Sequence, residues 1–237
     1  MNNSTFNEVR GEFSAAEALP AERAAFIRKT YVHLALAVAV FTVLCGAILN
    51  SPLSQQLVVM MSGTRYSWLL VLAIFMGVSW LANSWASSNT SRYVQYMGLI
   101  LLTLAYSIIF QPLLFMATTF AGVGVIAKAG VVTVGLFLGL TAVVFMTRKD
   151  FSFLGPILAI GGFVALGFIA SGIIFGFSLG NIFAFAMVAF AGGAILYDTS
   201  NMLHRYRTDQ HVAASLGLFA SVALLFWYIL SIFYSRD

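Results

Sequence analysis

One apolar run after another, almost free of charge, fills the chain from Tyr31 to Phe233. Each is about 17 to 25 residues long, and wound as a helix rising about 1.5 Å per residue it reaches across the roughly 30 Å hydrocarbon layer of a bilayer. Peptide groups in hydrocarbon must bond to one another, so only helices or closed barrels can cross. The runs are continuous and lack the short alternating segments of a membrane barrel, which selects helices. Seven are counted, over 31–49, 68–86, 94–113, 123–146, 153–175, 181–197 and 212–233. Composition agrees: 8% of residues are charged, against about one quarter in soluble domains, too few to clothe a water-facing surface. The expected fold class is therefore all-α, a polytopic bundle of seven transmembrane helices whose first partner is the lipid bilayer.

The breaks between runs carry turn chemistry, as in Asn50-Ser51-Pro52, Arg148-Lys149-Asp150 and the stretch 204–210. The division between the third and fourth spans is the faintest, marked only by Gln111-Pro112 and Thr118-Thr119. Trp68 and Trp85 bracket the second run, the place of amphipathic rings at headgroup level. Ahead of the spans, residues 1–29 form a polar tail in which four glutamates oppose four basic residues. It lacks the basic patch, short apolar core and cleavage site of a secretory signal, so it reads as a retained, mobile tail before a membrane domain at 30–237.

Orientation follows from lysine and arginine. With the tail in the cytoplasm, nine basic residues lie inside (Arg10, Arg23, Arg28, Lys29, Arg92, Arg148, Lys149, Arg205 and Arg207) and three lie near the outside (Arg65, Lys128 and Arg236). Seven spans then put the C terminus outside. The pairs Gly135/Gly139 and Gly172/Gly176, with Gly192-Gly193, suit close helix approach, either within the bundle or between two copies.

Several function classes drop out. The net charge of +4 comes from scattered residues with no basic stripe, which gives nucleic acid nothing to bind. Cys45 is the single cysteine and reads as a small buried hydrophobe. No phosphate loop, zinc-protease motif, nucleophile elbow or ligand-spaced cluster is present, so no enzyme, cofactor or metal site is expected.

Intramembrane charges are costly and mark function. One acidic residue qualifies: Asp198, at the end of the sixth run, where the negative end of the helix dipole and partial burial both oppose its charge. It is the candidate proton-sensing or pore-mouth group. Alternatively, the helix continues past Asp198 and the carboxylate pairs with Arg205 or Arg207 among the headgroups. His33, near the start of the first run, is a further candidate neighbour, with His204 and His211 in the last loop.

The polar islands resemble those of the Bax inhibitor-1 family, in particular its bacterial YccA-like branch. The resemblance rests on Arg28-Lys29-Thr30-Tyr31, on Thr147-Arg148-Lys149-Asp150-Phe151-Ser152-Phe153-Leu154-Gly155, on Gly193-Ala194-Ile195-Leu196-Tyr197-Asp198-Thr199-Ser200-Asn201, and on the closing Ser235-Arg236-Asp237. It implies a bundle whose last helix is central, a bacterial inner-membrane location, and motif roles for Arg148, Lys149, Asp150, Tyr197, Asp198 and Thr199. Two activities follow from it. YccA-like proteins bind and restrain the membrane-anchored AAA protease FtsH, with the N-terminal tail accessible to it. Calcium-leak members instead gate a cation path with two aspartates sharing a proton, one at the position of Asp198 and one in the last helix. Aligning Leu225-Phe226-Trp227-Tyr228 with the family puts Ser221 at the second place, and the second span has no arginine to latch the pair. One carboxylate and one hydroxyl cannot share a proton as two acids do. A protease modulator is therefore expected first, and a pH-sensitive calcium or cation leak second.

Overall fold

The structure is a computed structural model that describes residues 14–64, 66–88 and 91–235. Glu8, Arg10, Glu12, Arg65, Arg236 and Asp237 lie outside them. Nine helices follow one another among the described residues: α1 (Pro20–Leu49), α2 (Pro52–Ser62), α3 (Ser67–Ala86), α4 (Arg92–Ile109), α5 (Gln111–Phe120), α6 (Gly124–Thr147), α7 (Leu154–Phe175), α8 (Gly180–His204) and α9 (His211–Tyr234). Seven units are long and apolar enough to cross a membrane: α1, α3, α4 with α5, α6, α7, α8 and α9. The end of the bundle where α1 and α9 begin is here called proximal, the other distal.

Three boundaries depart from the hydropathy reading, each for a local reason. The third span continues past Leu113 to Phe120, because the break ahead of Pro112 is a single residue, Phe110, and the fully buried Gln111 side chain donates to the Ser107 carbonyl at 2.8 Å across it. The sixth span continues past Tyr197 to His204, because Met202 and Leu203 keep an apolar stripe buried beyond the polar Thr199-Ser200-Asn201 step. Finally, α2 lies between the first two spans, where the sequence reading placed no element. Its signal was Pro52 at the first turn with Ser54, Leu57 and Met61 on one face, and that face packs towards α5.

The polar segment before the first span also differs from a mobile tail over its described part. Helix α1 begins at Pro20 and runs straight through Lys29. Ala15 and Phe26 are almost wholly buried.

At the centre stands α9. Fifteen of its 24 residues are buried, whereas α7 buries two, so α9 is the axis that the others surround. Hydrocarbon supplies no hydrophobic drive between helices, so packing rests on close approach and interlocked rings. Small residues on α9 (Ala213, Ala214, Ser215 and Gly217) permit that approach at its proximal half. Further along, Phe219 near its middle and Trp227 in its distal half interlock edge-on with Tyr106 and Phe110, at 5.5 and 4.9 Å between ring centroids. Elsewhere Gly98 seats α4 against α3: a Cβ there would stand 2.5 Å from the Ala82 carbonyl oxygen. Of the glycines noted in sequence, Gly192 and Gly193 meet leucines of α6 and α7, while Gly176 turns the end of α7 at φ 76°. Gly135 and Gly139 instead face open space outside the bundle.

Candidate functional site

Asp198 does not sit at a helix end. Helix α8 continues six residues beyond it to His204, which removes the dipole contribution expected there, since that effect fades within the last turn. What holds the carboxylate is the central helix. Ser221 Oγ donates to Asp198 Oδ2 at 2.6 Å. One turn earlier on α9, Gly217 lies against the carboxylate: a Cβ at that position would make ordinary van der Waals contact, at 3.6 to 3.8 Å, with its carbon and both oxygens. The spacing Gly217 to Ser221, four residues on one helix face, was the available signal for this cradle.

Of the other neighbours proposed for Asp198, none donates to it. Arg207 forks onto Asp209, with Nη2 at 3.0 Å from Oδ2. Arg205 is exposed just past the end of α8. His33 bonds Tyr96 and the Lys29 carbonyl, at 3.1 and 2.7 Å, and its ring lies 5.0 Å from that of His211. The headgroup ion pair considered for Asp198 is thus replaced by a hydrogen bond between α8 and α9.

The two motif islands meet at the proximal end. The loop after α6 turns on Asp150, whose carboxylate accepts from the Ser152 N–H at 2.8 Å and from its hydroxyl at 3.0 Å. That N–H, more than any other contact, holds the Asp150 carboxyl below its ordinary value. The same loop is pinned to α8: the Phe151 N–H donates to Ser200 Oγ at 2.8 Å, and Ser200 Oγ in turn donates to Asp150 at 3.3 Å. His204, on the same helix face, bonds the Ser200 carbonyl at 2.9 Å. Arg148 closes α6 in the left-handed region, φ 51°, and it and Lys149 are exposed. Tyr197 packs across Gly155, where a Cβ would meet its ring at 3.0 Å. Thr199 is fully buried near the hydroxyls of Tyr31 and Thr141, and none of these three hydroxyls makes a well-aligned bond. Among these candidates, a direct side-chain hydrogen bond joins Asp198 to Ser221.

Two further elements meet at the same proximal end. Tyr206, in the loop between α8 and α9, has its hydroxyl pushed up to about 12, first by burial and then by the charges of Asp198 and Tyr197. It therefore lies within electrostatic reach of the carboxylate. The N-terminal segment holds that loop: the Ala15 N–H donates to the Tyr206 carbonyl at 2.8 Å, and Ser14 pairs antiparallel with Arg207. No motif announced either contact, because a two-residue pairing leaves no periodicity. Among the described residues no three histidine, cysteine or carboxylate side chains converge. Asp198 with Ser221 offers oxygens from two side chains, against the roughly six to eight ligands that a calcium ion takes.

Comparison with known proteins places this architecture. The family model described as "Inhibitor of apoptosis-promoting Bax1" matches residues 23–237. Bax inhibitor 1 of Schizosaccharomyces pombe is 31% identical over 97% of this chain and 84% of its own length. An uncharacterised protein of Pseudomonas aeruginosa is 30% identical over 95% of this chain and 96% of its own. The modulator of FtsH protease YccA of Escherichia coli is 38% identical over 49% of this chain and 55% of its own.

Proposed function

This chain belongs to the Bax inhibitor-1 family, and from that premise we propose that it modulates a membrane-anchored AAA protease of the FtsH type in a bacterial inner membrane. The proximal end faces the cytoplasm in this reading, in keeping with nine basic residues on that side against three on the other. One observation carries the proposal. The N-terminal segment, which a cytoplasmic protease would grip, is paired through Ala15 to Tyr206, in the loop that joins α8, which carries Asp198, to α9, which carries Ser221. A pull on the tail is thereby a pull on the loop that closes α8 to α9. The Escherichia coli relative, whose name states such a role, supports the same partner.

Co-purification with the protease, for the full chain and for a variant lacking residues 1–19, tests this directly. Association that weakens without the segment, with altered turnover of a membrane substrate, is the expected result. A full-length protein that neither associates nor changes turnover ends the proposal.

A second reading, a cation leak through the proximal mouth, draws on the same carboxylate, since Asp198 is an acid within a span and is bonded to the central helix. Calcium entry into liposomes, compared for the wild type and Asp198→Asn between about pH 6 and 8, separates the two. Equal entry for both proteins counts against the leak.

A further inference from the structure

The helices around α9 do not close into a full ring. Helix α7 packs substantially only on α8, and α3 packs mainly on α4, so a gap is left between α3 and α7. The gap is a cavity of about 300 Å³. Its floor is α9 at Ala223, Leu224 and Trp227, and one wall is Trp68 and Phe75 of α3. The other wall is hollowed by small residues of α7, Gly162 and Ala165.

We propose that this cleft is a binding site for one acyl chain of a membrane phospholipid. The reading is independent of the protease proposal. Three physical arguments select the occupant. First, the lining is almost wholly apolar, and apolar cavities of this kind exclude water. Second, the cleft cannot simply collapse, because its rim is propped by interlocked rings. Trp68 stacks on Trp227 at 6.2 Å, and Phe110 meets Trp227 edge-on at 4.9 Å. Third, the opening is continuous with the surface that faces hydrocarbon, where Ile74, Met76 and Phe163 are half or more exposed. A partner helix, about 10 Å across, would exhaust this volume in less than one turn. A single hydrocarbon chain is the neighbour thin enough to enter.

The occupant would rest on α9 at Leu224, three residues past Ser221, a rise of about 4.5 Å along the axis.

Quenching of the two indoles that line the cleft tests the site. With Trp80 and Trp85 changed to Phe, Trp68 and Trp227, both in the lining, are the remaining indoles. The protein is reconstituted in vesicles of phosphatidylethanolamine and phosphatidylglycerol carrying brominated or plain acyl chains. Quenching by bromine needs near contact, so the brominated chains should lower emission roughly twofold or more. Filling the cleft from α7 with Ala165→Phe, or from α9 with Ala223→Leu, should restore most of it. Either variant that keeps its helical circular dichroism suffices. Emission indifferent to brominated chains overturns the proposal, as does quenching that survives filling from both sides. Quenching by aqueous acrylamide in place of lipid would show a water-filled cleft and overturn it equally.

Discussion

The proximal and distal halves of the bundle are held together by different means, although the same central helix runs through both. Proximally, α9 offers Gly217 and Ser221, and its neighbours are tied by polar groups: Asp198 to Ser221, Phe151 to Ser200 and Ala15 to Tyr206. Distally it offers Ala223, Leu224 and Trp227 to rings and to a cleft between α3 and α7. A polar side chain in a low-dielectric setting must find its partner or bear a desolvation penalty, so polar contacts fix geometry sharply. Apolar side chains lose little by trading a protein neighbour for a lipid chain, so the distal half can stay open. The difference teaches where specificity lies: in the half with directional bonds.

The contrast can be broken most forcefully at Gly98. Because a Cβ there stands 2.5 Å from one backbone atom and 2.7 Å from another, Gly98→Leu should cost about 3 kcal/mol or more, seen as early thermal unfolding in detergent. Gly167→Leu on the exposed face of α7, where nothing lies within 4 Å, should leave the midpoint unchanged. Next in size is Ser221→Ala, which strips the carboxylate of its donor and should cost about 1 to 3 kcal/mol. Ser221→Thr, which keeps the hydroxyl, should recover part of that loss. Smaller still is Ala15→Pro, which deletes one N–H bonded to Tyr206 and should cost about 1 kcal/mol. Its signature is faster hydrogen exchange over residues 205–210 with the global midpoint retained.

The smallest effect is electrostatic. Asp150 is held below its ordinary value, first by the Ser152 N–H. A carboxyl with a depressed folded value stabilises its loop above the ordinary carboxylate range and loses that contribution as pH falls through the depressed value. The group is exposed, so water screens the contribution and the change is confined to the loop. A spin label at Lys149→Cys should become more mobile below the ordinary carboxylate range. With Asp150→Asn added, it should respond little to pH.

Much of the fold was legible because bilayer crossing is a constraint on length and apolarity, both written along the chain. The bounds 68–86 and 153–175 differ from the helices α3 and α7 by a single residue at the N-terminal end. Short polar steps were harder, because they carry no hydropathy signal of their own direction. Thr199-Ser200-Asn201 reads equally well as the end of a helix or as a polar stripe on one that continues. At the site, Asp198 stood out by the cost of burying an acid, whereas Gly217 and Tyr206 did not, since a glycine and a tyrosine are common in any span or loop.

The sequence by itself determined that the chain is a seven-span helical membrane protein and that Asp198 is an acid bordering an apolar run, since both follow from free energies of transfer from water to oil, residue by residue. Only the tertiary structure decided that Asp198 meets Ser221 over Gly217, that Ala15 holds Tyr206, and that α3 and α7 part around a cleft. Those outcomes depend on which helix faces meet, and in lipid the meeting is chosen by side-chain shape and hydrogen-bond direction, which no hydropathy pattern records.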